Sequence, residues 1–364
     1  MFWLFDLFEL RGSRWIGRNP YRGEPDQWGE RDRHPRGIRI GIAKEFWHTH
    51  WPYIAAFREL DLPYQLIDLA ASEWFETVRL ADIDVLVVAP SVQYGPWKRM
   101  YDDRLRVISR HTDVPLFPSL EGLWFMESKY RMHYWLYANG FPPPKTHIFY
   151  SRSQAFDFAR VAPLPLVYKM DAGSGAAGVR ILKNRSTVRR VIAKSFSGVR
   201  NHRQRKNDME HGAVLFQEFV PSMREWRIVQ IGSSFFGFEK LQLGNFHSGS
   251  KRFSYGKPPS EALNLMRCIA RTGGFSAMSI DVFETKGGEY LVNEIQPQFG
   301  HHASRELCVV DGRPGRIRYH ESTRDWAFEE GNFCRNYLAN LKLTELLATL
   351  PRRSGSSTEG QVIG

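Results

Sequence analysis

Three cysteines in 364 residues are too few, and too odd in number, for a disulfide framework. Cys268, Cys308 and Cys334 lie far apart and none belongs to a CxxC pair. That spacing excludes a thiolate zinc site and points to a reducing, cytoplasmic compartment. No apolar run reaches the roughly 20 residues that a membrane-spanning helix needs. Acidic residues are also in deficit, 39 Asp and Glu against 50 Lys and Arg, giving a formal net charge of +11. Such an excess invites a polyanion. Much of it, however, sits in Arg11–Arg36 and Arg200–Lys206, and neither an RRM-type signature nor a helix-turn-helix pattern accompanies it, so no nucleic-acid partner is expected. The opening MFWLFDLFEL carries Asp6 and Glu9 and lacks both a basic leader and a small-residue cleavage site. It reads as a short amphipathic docking segment, with weak membrane-surface contact as the alternative.

What is present is an ordinary globular composition, 42% hydrophobic and 24% charged, arranged in a readable order. Residues 1–37 show no sustained period and read as an N-terminal extension. From GIRIGIA (Gly37–Ala43), short apolar runs at Tyr64–Ile67, Asp84–Pro90 and Val114–Phe117 alternate with helical stretches at Ile54–Leu60, Glu73–Leu80 and Arg99–Ser109. Strands alternating with helices at this spacing predict a small parallel α/β domain over 38–118. A helix from Ser128 to Gly140 opens a second region, 119–215, with strands at Thr146–Tyr150, Leu166–Lys169 and VRIL and helices at Ser153–Arg160 and from Ser186. The polar stretch 197–211 reads as an exposed loop. Over 216–350 the strands AVLFQEFV, WRIVQIG and FFGFEKLQL look antiparallel. They are followed by a helix at Glu261–Thr272, the hairpin FSAMSIDVFE–KGG–EYLVNEI and a last helix at Asn336–Leu347. Residues 351–364 read as a disordered tail. The fold class is thus mixed, α/β followed by α+β.

Four elements carry chemistry. In LVYKMDAGSGAAGV a strand ends at Lys169 and turns through Gly173, Gly175 and Gly178, a pattern that aims backbone N–H groups and one ammonium at phosphate oxygens, or else is an ordinary turn. Asp281 and Glu294 stand on adjoining strands amid apolar neighbours. Paired buried carboxylates need counter-charge, and Mg²⁺ (or Mn²⁺) with Gln296 as a further oxygen donor resolves this; solvent exposure or partner arginines are the alternative. In VLFQEFVPSMREWRI, Gln217 and Glu218 precede a Pro221 turn that can present backbone groups to a base and a carboxylate to ribose, or else their charged residues simply lie on a solvated strand face. FHSGSKRF brings His247, Ser248 and Lys251 into a small-residue loop suited to a carboxylate or acyl-phosphate, or to a plain surface turn.

In this order the elements resemble the ATP-grasp superfamily, with the glutathione synthetase and RimK-like carboxylate–amine ligases as the nearest group, from about Ile38 to Gly300. ESKYRMHYWLYANGFPPPKT is similar to the helix that carries the family's first lysine, matched by Lys129; Lys169 matches the second. GSGAAG, with Ser174, looks like the loop that covers the phosphates. QEFV looks like the adenine hinge, which gives Glu218 and the Val220 backbone to the base, and Glu225 falls at the ribose acid. Arg227 matches a family arginine and Lys240 falls near another, so that oxyanion stabilisation falls to Arg227, Lys240 or Lys251, while Asp281 and Glu294 match the metal carboxylates. The departures are Gln296 where asparagine is usual, Ser279 where some ligases keep arginine, and a shortened loop at FHSGS.

The resemblance implies a pre-ATP-grasp α/β domain followed by a two-lobed ATP-grasp fold. It also implies an ATP- and magnesium-dependent carboxylate–amine ligase forming an amide or peptide bond through an acyl-phosphate, with small-molecule carboxylate and amine substrates. A small-molecule kinase and a non-catalytic nucleotide-binding module are the alternatives, and no feature sets an oligomeric state.

Overall fold

A computed structural model describes residues 37–45, 48–90, 95–172, 178–197, 212–242, 252–299 and 306–351. The expected extension with its docking segment, nearly all of the 197–211 loop and nearly all of the tail lie outside the described residues, as do Gly173, Ser174, Gly175, His247, Ser248 and Lys251. The chain divides into two compact units, one formed by residues up to Ala89 with Arg104–Phe117 and the stretch from Arg335, the other by Pro90–Asp103 and Pro118–Cys334.

The first unit holds the four short strands β1 (Ile40–Ala43), β2 (Tyr64–Ile67), β3 (Val85–Val87) and β4 (Leu116–Phe117). They pair in parallel in the order β2-β1-β3-β4. All four residues of β1 and all three of β3 are buried. Strands covered on both faces read as unbroken apolar runs, the pattern expected of a parallel sheet. Helices α1 (Trp51–Glu59), α2 (Trp74–Leu80) and the second half of α3 (Gly95–His111) connect them. The C-terminal helix differs from the sequence expectation. It starts at Ala339, because Asn336, Tyr337 and Leu338 take left-handed φ values of 46°, 54° and 67°. It also packs on α1, so from Arg335 the chain returns to the first unit where the sequence reading carried the last lobe to 350.

The second unit begins with helices α4 (Leu120–Phe125) and α5 (Lys129–Ala138) and is built on two sheets. One is four-stranded, β5 (Thr146–Phe149), β6 (Leu166–Lys169), β7 (Val179–Leu182) and β8 (Val214–Glu218), in the order β5-β8-β6-β7. Helices α6 (Arg152–Val161) and α7 (Arg185–Phe196) pack through Ala155, Ala159, Val188 and Ile192 onto Leu166, Tyr168 and Phe216. The larger sheet contains β9 (Ser222–Ile231), β10 (Ser234–Lys240), β11 (Phe253–Ser254), β12 (Ala277–Thr285), β13 (Tyr290–Gln296), β14 (Val309–Val310), β15 (Arg313–His320) and β16 (Asp325–Glu330). Helix α8 (Ser260–Gly273) lies on β9 and β12 and buries Ala262, Leu263, Met266, Ile269 and Ala270, one stripe of a 3.6-residue period. Gly274, at φ 61°, closes it with a left-handed cap. The β15–β16 hairpin and α4 have no counterpart in the sequence reading.

Candidate active site

Strand register assembles the site. Arg227 on β9 lies opposite Asp281 on β12, and Asp281 lies opposite Glu294 on β13. Two residues before Arg227, Glu225 faces Lys240 on β10; beyond Glu294, Gln296 faces Ser279. Directly opposed residues share a face and side chains alternate with period two, so Lys240, Glu225, Arg227, Asp281, Glu294, Ser279 and Gln296 line one side of one sheet. The intervening Trp226, Ile228, Ile280 and Ile295 are buried on the other side.

This face is an ion-pair network. Asp281 is 2% exposed. Its Oδ1 accepts from Arg227 Nε at 2.8 Å and its Oδ2 from Arg227 Nη2 at 2.9 Å, and Lys240 Nζ also bonds Oδ2. Lys240 Nζ reaches Glu225 Oε1 at 2.9 Å as well. Burial alone would raise the Asp281 carboxyl, but the charges of Arg227 and Lys240 override it and hold the group well below the usual carboxylate range. Asp281 is thus paired with an arginine, as the alternative had it, but with the half-buried Arg227 and not a surface one.

The lysines arrive from the other elements. Ser128 caps α5, its Oγ accepting from Arg131 N–H, which sets Lys129 in the first turn. Asp171, read from the sequence only as the start of the glycine turn, anchors the first turn of α5: its Oδ1 accepts from Ser128 Oγ at 2.8 Å and from Tyr130 N–H at 2.8 Å. A carboxylate at a helix N-terminus is favoured by the helix dipole. Asp171 lies just beyond β6, so it also sets the end of β6 beside α5. Lys169, the last residue of β6, donates to Asn293 Oδ1 at 2.6 Å. Burial lowers Lys169 to about 8, against the pull of Glu294. Lys129, His133, Lys169, Gln217 and Asn293 line one cavity, with Met132 among its apolar walls.

The hinge residues are placed differently from one another. Gln217 donates from Nε2 to Thr146 Oγ1 at 3.0 Å. The Glu218 carboxylate pairs with Lys145 at 2.9 Å, and this contact lowers its pKa. The Val220 carbonyl accepts from Ser222 N–H at 2.8 Å. Glu127 is a second group that the sequence reading missed. It takes a left-handed φ of 57°, and burial pushes its carboxyl up to about 7 against Lys129. Its backbone N–H donates to Gln296 Oε1 at 3.2 Å. Strained backbone of this kind gathers at functional sites.

A divalent cation needs open oxygen donors. Half-buried Glu294 offers one carboxylate with no hydrogen bond or ion pair to the described residues. Asp281 is closed by two cationic side chains and Gln296 Oε1 by Glu127 N–H. Among the described residues no group of three or more His, Cys, Asp and Glu side chains gathers to hold a metal. As arranged, the donor set does not fit a resident metal ion.

Gly178, the turn residue just before β7, has a φ of 80°, and a Cβ there would come within 2.8 Å of Met170 Sδ. Gly178→Ala is expected to lower unfolding stability by roughly 1–3 kcal/mol, since a left-handed backbone and a collision add. Urea unfolding at constant slope measures it; an unchanged midpoint would show that the turn relaxes freely.

No family model matches the chain, and no curated protein does. Solved structures match. N5-carboxyaminoimidazole ribonucleotide synthetase in complex with ADP aligns at a TM-score of 0.54 and 13% identity, over 74% of this chain and 72% of that one. D-alanine–D-alanine ligase from Bacillus anthracis complexed with ATP aligns at 0.54 and 15%, over 74% and 89%. A RimK domain ATP-grasp protein from Sphaerobacter thermophilus aligns at 0.50 and 16%, over 72% and 92%. At these identities the likeness concerns architecture: the chain has the ATP-grasp fold. Among the described residues, no helix is long and apolar enough to cross a membrane.

Proposed function

We propose that the protein is an ATP-dependent ligase joining a carboxylate to an amine through an acyl-phosphate. The observation that carries this reading is that Lys169 lines a largely neutral cavity while the carboxylates of the charged sheet face attract it. Gln217, Asn293, His133 and apolar side chains form a neutral end. Arg227, Lys240, Glu225, Asp281 and Glu294 form a charged face. Lys129 and Lys169 line the first, and Lys169 feels the Glu294, Glu225 and Asp281 charges of the second. A nucleotide has the same polarity, a flat base at one end and phosphates at the other. Two of the similar solved structures hold ADP and ATP, which supports a nucleotide as the ligand.

In the proposed reaction a carboxylate oxygen attacks the γ-phosphorus, the β–γ bridging bond breaks, and ADP leaves with that electron pair. Lys129 and Lys169 offset charge moving onto the β-phosphate. An amine then attacks the acyl carbon, and phosphate departs as the amide forms. Arg227 and Lys240 are the groups placed to stabilise the oxyanion of that step, once they exchange Asp281 for substrate. Glu225 is the candidate for the ribose, Gln217, Glu218 and the Val220 backbone for the base, and Gly173, Ser174, Gly175 and Gly178 for the phosphates. Magnesium enters as part of the substrate, Mg-ATP, where it neutralises phosphate charge; of the expected ligands Asp281, Glu294 and Gln296, only Glu294 offers an open carboxylate as the chain is arranged. His247, Ser248 and Lys251 are retained as candidates for the carboxylate substrate.

The test is an ADP-release screen of the full chain with pooled amino acids and small carboxylates, followed by mass spectrometry. An amide with free phosphate is expected. A stable phosphorylated product would assign a kinase instead, and failure to bind Mg-ATP would leave a non-catalytic module.

A further inference from the structure

We propose that Asn293 is a positioning residue for Lys169, delivered by a β-bulge and holding the ammonium across the gap between the two sheets. The proposal deepens the nucleotide-site reading above and rests on it for its consequence, though not for its geometry.

On β12, Asp281 and Val282 are consecutive, yet they face Glu294 and Val292 on β13, which leaves Asn293 as the extra residue of the ladder. In a regular strand Asn293 would point away from the face that carries Glu294. A bulge breaks that alternation and re-aims a side chain, which is how two successive residues come to serve one site. The result is a hydrogen bond of 2.6 Å from Lys169 Nζ to Asn293 Oδ1, between residues 124 positions apart. Lys169 belongs to the four-stranded sheet and Asn293 to the larger one, so this bond ties the two sheets of the unit where both side chains line the cavity.

The residue type suits the task. Glu294, Glu225 and Asp281 all attract Lys169, and an ammonium left unheld is drawn toward that acidic face. An amide oxygen fixes Nζ by a directed bond without cancelling its charge, which stays available to an incoming anion. An aspartate at the same place would neutralise the lysine, and an apolar side chain would leave the ammonium without a directed acceptor at that point.

A double-mutant cycle on the full chain tests this, using Asn293→Ala, Lys169→Met and the pair, with two readouts. In calorimetric titration with Mg-ATP, Asn293→Ala is expected to weaken binding about tenfold in the wild-type background and less than twofold in the Lys169→Met background, because a residue acting through Lys169 has nothing left to position. In the nucleotide-free chain, Asn293→Ala is expected to speed acylation of Lys169 by an amine-directed ester severalfold, read by mass spectrometry, while Asn293→Asp stays at or below the wild-type rate. Equal loss of affinity in both backgrounds, or unchanged labelling, overturns the proposal. Should the wild type bind no Mg-ATP, the ligase reading falls and the labelling result alone decides the contact. Asn293→Ser, whose hydroxyl is too short to reach Nζ, replaces alanine if that variant does not fold.

Discussion

Asp281→Asn is expected to abolish ADP release and also to lower the unfolding midpoint by on the order of 10 °C. The second effect follows from the network, not from catalysis. Asp281 is the shared acceptor of Arg227 and Lys240 in a buried layer. Removing one partner of a buried ion pair costs about 3–5 kcal/mol, because the remaining charge is left uncompensated. In a unit of this size each kcal/mol moves the midpoint by roughly 2–4 °C. The pH dependence carries the same signature. Arg227 and Lys240 hold the folded pKa of Asp281 below its unfolded value of about 3.9. Its contribution is therefore complete above that pH and is lost as pH falls toward the folded value. The variant should lack this part of the acid limb. Differential scanning calorimetry from neutral pH downward reads both; an unshifted midpoint and an unchanged acid limb would mean that Arg227 and Lys240 find other acceptors at no cost.

Lys169→Met is expected to move stability and binding in opposite directions. Lys169 is 7% exposed, and burial brings its pKa down to about 8 from an unfolded value of about 10.4. The protonated form is thus disfavoured by folding. Below pH 8 the whole penalty is present, and it fades as pH rises through the window between the two values, where the unfolded chain binds more protons than the folded one. At pH 7 methionine should therefore raise the unfolding midpoint by a few degrees, and the gain should shrink toward pH 10. The same change removes an ammonium from the nucleotide site, where a hydrogen bond to a charged group is worth about 1.5–3 kcal/mol, so Mg-ATP affinity should fall by roughly 10–100-fold. Paired thermal melts and titrations check this. A destabilised Lys169→Met chain would assign the lysine a structural duty in place of a ligand-binding one.

How far the sequence could be read depended on the range of the interactions involved. Strand β2 runs over Tyr64–Ile67 as anticipated, and Ser128 caps α5, because both are set by neighbours a few residues away. The β12–β13 hairpin was legible from its Lys286–Gly288 turn and apolar flanks. The β15–β16 hairpin was not: Arg313, Arg316 and Arg318 alternate with few apolar residues, and only Gly315, Ile317 and Trp326 are buried, too few for a period-two signal. Glu127, Asp171 and Asn293 escaped for a different reason. Each acts through a partner more than 40 positions away, and no local pattern marks it.

The amino-acid order on its own therefore determined most of the elements (apart from α4 and the β15–β16 hairpin), the alternation that separates a buried face from a polar one, and the residue types brought to that face. It did so because backbone propensity and apolar periodicity are local quantities. Only the tertiary structure decided how the charges pair. Register set Arg227 opposite Asp281, a bulge turned Asn293 toward Lys169, and burial made each of those contacts energetically consequential. Charges far apart in the chain interact strongly only where folding brings them together and removes the water between them.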